Sequence, residues 1–340
     1  MTPNAAPYAT LTGAGAKRLA DSAARIVVVG SGGWLGLATL EALHGLLGGD
    51  FARRVVCFGS EERDLTLRGG LAVRQAPLES IAQLPPMATL VLHLAFLTQE
   101  KAREMPTAQY IRANEAISGQ VLAALDTIGT EALFVPSSGA VYLVDDREAE
   151  ASKRIYGSLK LKDEARFARW AHTSGRRAVI ARVFNLSGPY INKQSSYALA
   201  SFIADALAHR KITITATRPV LRSYVAINEL MSVVFALMTE TSRDVVPFDT
   251  AGDRSYEMAE IAELVQDVLG ARRGVDRPPL LDEAPDRYLG DGTIFRDLRS
   301  RSGVQPVEFP DQIRQTALFM ARSDETLWDC PTAAGSPQAF

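Results

Sequence analysis

Tyr156 and Lys160, in Ile155-Tyr156-Gly157-Ser158-Leu159-Lys160, stand four residues apart, so on a helix the phenol and the ammonium share one face. A tyrosine hydroxyl ionises at about pH 10 and is a poor base at neutrality, but a nearby ammonium favours the phenolate and makes proton exchange possible. Upstream, Val29-Gly30-Ser31-Gly32-Gly33-Trp34-Leu35-Gly36 places glycines where a strand would turn into a helix. Gly30 permits the tight turn, Gly33 with Trp34 and Leu35 brings backbone N–H groups towards a pyrophosphate, and Gly36 lets helix and strand pack closely. The pair and the turn together point to hydride chemistry on a bound dinucleotide.

The end of the second strand in such a unit separates NAD from NADP, since a terminal carboxylate accepts from the ribose 2′-OH whereas a basic residue accommodates a 2′-phosphate. That strand ends Cys57-Phe58-Gly59-Ser60, with no acid at its terminus. Ser60 and Arg63 would hold a phosphate, while the intervening Glu61 and Glu62 would suit a ribose, and NADP is favoured over NAD. Leu94 and Ala95, in Leu92-His93-Leu94-Ala95-Phe96, end another strand beside the cofactor, with His93 expected as a hydrogen-bonded core residue. Ser137 and Ser138, in Phe134-Val135-Pro136-Ser137-Ser138-Gly139, end a central strand on the same edge, where a hydroxyl can orient a sugar oxygen. No metal ligand set is assigned.

The elements that position these groups alternate between short apolar runs and helical patterns, the signature of a parallel sheet buried on both faces. Strands are expected at Ile26–Val29, Arg54–Phe58, Leu71–Arg74, Thr89–Leu94, Ala132–Pro136 and Ala178–Val183. Helices are expected at Trp34–Leu47, Thr107–Ile128 and Tyr156–Thr173, with a charged loop over Leu143–Ile155. This predicts an α/β fold, a Rossmann-like doubly wound parallel sheet over residues 25–188. A smaller C-terminal α/β region over 189–322 would bind substrate, with room for some of its strands or helices to return to the main sheet. In that region the patterns give helices at Ser196–His209, Ile227–Thr239 and Ser255–Leu269 and a strand at Ile212–Thr215. Residues 1–24 read as an N-terminal extension and 323–340 as a disordered tail.

With 340 residues, 47% hydrophobic and 22% charged, the chain can bury a large core. A net charge of -2 without a dense basic run argues against nucleic acid or an anionic membrane as principal partner. The two cysteines, Cys57 and Cys330, do not suggest a disulfide framework, and no segment reads as an export signal or a membrane span. A cytoplasmic location is expected.

Ser138, Tyr156 and Lys160 complete a Ser–Tyr–Lys constellation, and with it the chain resembles the extended short-chain dehydrogenase/reductase family, in its NAD-dependent nucleotide-sugar epimerase/dehydratase branch. Further matches are Asn114 in Arg112-Ala113-Asn114-Glu115, the run Arg182-Val183-Phe184-Asn185-Leu186-Ser187-Gly188-Pro189, and Arg222-Ser223-Tyr224-Val225 followed by Asn228. The resemblance implies that Tyr156 exchanges a proton with the sugar oxygen and that Lys160 holds the nicotinamide ribose and lowers the tyrosine pKa. It further implies that Ser138 hydrogen-bonds the reacting oxygen and that Ser137 lies near the nicotinamide. Asn185, Arg222 and Arg287 are implied as contacts to the substrate, the guanidinium fork suiting its diphosphate. A homodimer through the helices at 107–128 and 156–173 is implied as well.

The same resemblance narrows the reaction. An Asp-Glu pair used for 4,6-dehydration is replaced by Ser138-Gly139, and neither cysteine is placed for a 3,5-epimerase-reductase. A 4-ketoreductase or a 4-epimerase of a nucleotide-activated sugar remains. The alternative from another class is a redox-silent NAD(P)-binding sensor or scaffold.

Overall fold

The computed structural model describes residues 9–240 and 247–323. The first half runs α1 (Gly13–Asp21), β1 (Arg25–Val29), α2 (Trp34–Leu47), α3 (Phe51–Arg54), β2 (Val55–Gly59), β3 (Arg63–Thr66), β4 (Ala72–Pro77), β5 (Thr89–His93), α4 (Gln99–Glu104), α5 (Thr107–Leu125), β6 (Thr130–Ser138), α6 (Ala151–Ser174) and β7 (Arg177–Val183). The second half adds β8 (Leu186–Ser187), α7 (Ala198–Leu207), β9 (Ile212–Thr213), β10 (Val220–Arg222), β11 (Val225–Ala226), α8 (Ile227–Met238), β12 (Phe248–Asp249), β13 (Tyr256–Glu257), α9 (Met258–Leu269), β14 (Val275–Asp276), β15 (Asp286–Tyr288), α10 (Thr293–Arg301) and α11 (Phe309–Ser323).

Eight strands form one sheet in the order β12-β7-β6-β5-β1-β2-β4-β3, parallel throughout except for β3, which runs antiparallel to β4. Strand β1 explains why both faces are covered. Ile26 and Val28 pack with Leu37 and Leu40 of α2 and Leu230 of α8, whereas Val27 and Val29 pack with Val121 of α5 and Phe167 of α6. These four apolar side chains of β1 are fully buried, and each such burial contributes about 1.5–3 kcal/mol. From β1 the chain builds β2, β4 and β3 on one side and then β5, β6, β7 and β12 on the other, so the crevice of this doubly wound sheet opens at the carboxyl ends of β1 and β5.

Several elements depart from the sequence reading. Arg63-Asp64-Leu65-Thr66 reads as a loop because only Leu65 is buried, yet it forms the charged edge strand β3, a composition that discourages pairing with another chain. The loop expected over Leu143–Ile155 is shorter, since α6 begins at Ala151. Its first turn carries no apolar stripe and is tied instead by Glu150, which accepts from Ser152 Oγ at 2.6 Å and from Arg103 Nε at 2.6 Å.

From residue 9 on, the N-terminal stretch is built into the body. Helix α1 lies against α8 so closely that a side chain on Gly15 would collide with Ala236, and buried Arg54 donates to the carbonyls of Leu19 and Ala24. In the C-terminal half, α8 packs on β6 and β7 and β12 extends the main sheet, while α7, α9 and α11 gather a separate core around Phe202, Ile203, Ile261, Val265, Phe309 and Ile313. Helices α10 and α11 have no counterpart among the sequence-predicted elements. The tail expected to be disordered lies, from residue 324 on, outside the described residues, as does Cys330. Among the described residues no helix is long and apolar enough to cross a membrane.

Candidate active site

The glycine-rich turn joins β1 to α2. Gly30 has φ 85°, donates to the Phe58 carbonyl at 2.8 Å, and lies so close to the β5 exit that a β-carbon there would fall 2.5 Å from the Ala95 nitrogen. Only glycine meets both demands, because the left-handed backbone and the close approach each exclude a side chain. Gly36 packs against the Gly30 carbonyl, while Gly33 stands at the mouth of α2, where no side chain caps the helix and no acid occupies its first turn. The first N–H groups of α2 therefore lack intrahelical partners and carry the positive end of the helix dipole. The turn fits a dinucleotide pyrophosphate, which Gly33, Trp34, Leu35 and Gly36 would hold. Trp34 also braces the turn from the other side, donating from Nε1 to the Pro189 carbonyl at 2.7 Å and packing on Tyr197.

At the end of β2 the side chain of Gln75 fills the space beside Gly59, accepting from Ser31 Oγ at 2.8 Å and donating to the Glu61 carbonyl at 2.9 Å. Ser60 is exposed. Arg63 lies directly on the turn, where a β-carbon on Gly32 would collide with its guanidinium. The two nearby carboxylates are engaged, Glu61 with Arg63 at 3.7 Å and Glu62 with Arg74 at 2.5 Å. The cofactor edge thus presents a cation next to the glycines and no carboxylate at the strand terminus.

Ser137 and Ser138 end β6, and α6 carries Tyr156 and Lys160 to them. A side chain on Gly157 would collide with the Ala140 carbonyl, so this glycine sets the approach of α6 to the β6 exit. Ser138 Oγ accepts from the Ala140 N–H at 3.2 Å and lies 3.2 Å from the Tyr288 hydroxyl. Burial pushes the Tyr156 phenol up from its ordinary value, Tyr288 adds to the shift, and a hydrogen bond with Ser138 offsets part of it. Lys160 is buried, donates to the Pro136 carbonyl at 2.9 Å, and is pushed down to about 8 by burial, against the pull of Asp163 and Glu164. Its Nζ sits 3.7 Å from the centroid of the Phe96 ring, which also meets Tyr156 edge-on.

Around this centre the remaining groups are held in place. Ser137 Oγ donates to buried Glu164 at 2.5 Å, and Glu164 is clamped by Arg182 through two bonds of 2.9 and 2.7 Å. Arg182 donates onward to Tyr142, which donates to Asp249 at 2.9 Å. His93 is buried, with Nε2 3.3 Å from Ser118 Oγ, and burial lowers its pKa to about 3, so the imidazole is neutral. Asn114 accepts from the Leu97 N–H at 2.8 Å and donates to the Tyr110 carbonyl, fixing the segment that follows Leu94 and Ala95.

The substrate candidates separate. Asn185 donates to the backbone carbonyls of Ser223 and Tyr288 at 3.1 and 3.4 Å. Arg222 on β10 is paired with Asp286 of the adjacent strand β15 at 3.0 Å, and its Cζ is 5.9 Å from the Tyr288 ring centroid. Arg287 is exposed and, by strand alternation, faces away from its neighbour Tyr288, which reaches Ser138. Sequence reasoning missed Tyr288, because a three-residue strand reached by long-range pairing leaves no periodic signal.

Residues 26–248 match the model of a family described as the NAD dependent epimerase/dehydratase family. Among curated proteins, UDP-glucuronic acid decarboxylase 2 of Arabidopsis thaliana is 25% identical over 119 residues, 35% of this chain and 26% of that protein. GDP-6-deoxy-D-mannose reductase of Pseudomonas aeruginosa is 26% identical over 202 residues, 54% of this chain and 64% of that protein. The chain thus spans about a quarter of the decarboxylase and under two thirds of the reductase. Among solved structures, UDP-N-acetylglucosamine 4-epimerase from Methanobrevibacter ruminantium, in complex with UDP-N-acetylmuramic acid, shares the fold at a TM-score of 0.67 and 18% identity, over 88% of this chain and 99% of that one.

Proposed function

This chain belongs to the NAD dependent epimerase/dehydratase family, and from that premise we propose that it is an NADPH-linked 4-ketoreductase of a nucleotide-activated sugar. The observation that carries the choice of reductase is the cofactor edge. Arg63 lies on the glycine turn, and the end of β2 has no carboxylate to receive a ribose 2′-OH. A 2′-phosphate suits that edge, and NADPH is the usual donor for reductive steps.

When bound, the dinucleotide supplies the hydride. The chain's own residues manage the oxygen. Tyr156 gives its proton to the oxygen as the carbonyl carbon becomes tetrahedral, and the Ser138 hydroxyl donates a second hydrogen bond to the same atom. Charged Lys160 lowers the cost of the phenolate left on Tyr156. Gly30, Gly33, Trp34, Leu35 and Gly36 hold the pyrophosphate, Ser60 and Arg63 the 2′-phosphate, and Leu94, Ala95 and Ser137 the wall beside the nicotinamide. Asn185 and Arg222 bind the nucleotide diphosphate, with Arg287 entering only through a change of face. The relation of the chain to a reductase of a GDP-6-deoxysugar supports this reading. A homodimer through α5 and α6 is part of the proposal, their outer faces carrying exposed Leu161.

The test is to denature the purified protein, identify any released dinucleotide by mass spectrometry, and titrate fresh protein with NADPH and NADH. An empty protein that prefers NADPH supports the reductase. Tightly retained NAD would replace it with a 4-epimerase that regenerates its cofactor, and binding without turnover of any 4-keto nucleotide sugar would favour a redox-silent sensor.

A further inference from the structure

Ser138 has more neighbours than a two-partner hydroxyl needs. A serine hydroxyl offers one proton and two lone pairs. One lone pair of Ser138 Oγ is taken by the Ala140 N–H at 3.2 Å, and the Tyr288 hydroxyl lies 3.2 Å away. If Ser138 donated to Tyr288, it would have no proton left for a reacting oxygen. If Tyr288 donates instead, both lone pairs of Ser138 are filled and its proton is left for Tyr156, with which it shares a hydrogen bond, or for the substrate oxygen.

We propose that Tyr288 is a positioning residue of the reaction centre, donating to Ser138 so that the Ser138 proton is aimed at the reacting oxygen. The proposal rests on the reading of Ser138, Tyr156 and Lys160 as the reaction centre. Tyr288 is suited to the task by its surroundings. Its ring packs on Phe184 at 4.7 Å between centroids, and Phe184 in turn fills the space beside Gly139 and Gly290. Its strand β15 is registered on β10, so that Tyr288 lies beside Arg222. Burial raises the Tyr288 phenol above its ordinary value, which keeps it protonated and able to donate at neutral pH. Two donors in series, Tyr288 to Ser138 and Ser138 to the oxygen, polarise each other and strengthen the second bond. Because β15 belongs to the same small sheet as the substrate candidate Arg222, the proton of Ser138 is aligned by the part of the chain that would hold the substrate.

The test is a double-mutant cycle of Tyr288→Phe and Ser138→Ala read in two ways. In protein carrying tyrosine labelled with carbon-13 at Cζ and saturated with NADP, Tyr156→Phe assigns the Tyr156 signal. The expected result is that Y288F shifts this signal in the wild-type background and leaves it unmoved in the Ser138→Ala background. No shift in either, or the same shift in both, overturns the proposal. In single turnover with NADPH and a 4-keto-6-deoxy nucleotide sugar, Y288F is expected to be about tenfold slower, the effect of losing one hydrogen bond at the reacting oxygen, with no further loss when added to S138A. Additive losses would overturn the proposal. A wild-type protein that binds NADP and reduces no such sugar would refute the assigned reaction, while the spectroscopic cycle still decides the role of Tyr288.

Discussion

The carboxyl edge of the main sheet and the small strands that face it are built by different means. At the sheet edge, reactive groups sit on long elements whose backbone fixes them: a glycine turn between β1 and α2, two serines ending a nine-residue strand, and a phenol and an ammonium one turn apart on α6. The facing strands β10, β13 and β15 have two or three residues each and are held by ion pairs, Arg222 with Asp286 and Arg277 with Glu257. A half-exposed ion pair such as Arg222–Asp286 contributes little and can be exchanged for a ligand, whereas a packed strand end cannot move without unfolding its neighbours. On the proposed function, the chemistry falls to the rigid edge and substrate recognition to the exchangeable one.

Substitutions can break this comparison. The largest effect is expected from Tyr156→Phe, which removes the proton donor while sparing the cradle. Turnover should fall by about a thousandfold, with NADPH affinity unchanged by fluorescence titration. Arg63→Ala should cut the preference for NADPH over NADH about thirtyfold, as expected for a lost guanidinium–phosphate contact, and equal affinities in the wild type would remove the basis for it. A pH profile follows from Lys160, whose pKa is lowered to about 8 by burial. The ammonium is present below that pH and lost above it, so the reduction rate should be flat at lower pH and fall about tenfold per unit once pH exceeds 8.

On the recognition side the effects are smaller. Asp286→Asn should free Arg222 and lower KM for the nucleotide sugar by about fivefold with kcat little changed, the scale of a half-exposed ion pair. A large fall in kcat would mean that the two edges are not separate in function. Phe96→Ala should tighten NADPH binding about threefold, since the ring no longer has to leave the Lys160 ammonium. Weaker binding would make Phe96 part of the cofactor wall.

The same contrast explains what could be read before the structure. The helix at Trp34–Leu47 was legible to the residue because Gly33 and Gly48 bound an apolar run, and Tyr156 with Lys160 was legible because their proximity is set by helix geometry alone. Strand β3 escaped because one buried Leu65 among charged residues carries no alternation. Tyr288 meets Ser138 across 150 positions of sequence, through a strand register that no local pattern encodes. Arg287, not Tyr288, drew notice there because a guanidinium is recognisable by type, whereas the face it occupies depends on pairing with β10. Phe96 likewise reads as part of an apolar strand end, and its seat over Lys160 follows only once β5 and α6 are brought together.

Hydride tracing tests the proposed reduction of a keto sugar with NADPH at this edge. The protein is incubated with NADPH carrying deuterium on the transferable face of nicotinamide C4 and a 4-keto-6-deoxy nucleotide sugar, and the sugar product is analysed by mass spectrometry and NMR. The expected result is one deuterium at the new carbinol carbon and one NADP formed per sugar reduced, with both lost in Tyr156→Phe. NADPH that stays bound while no deuterium enters the sugar would contradict it.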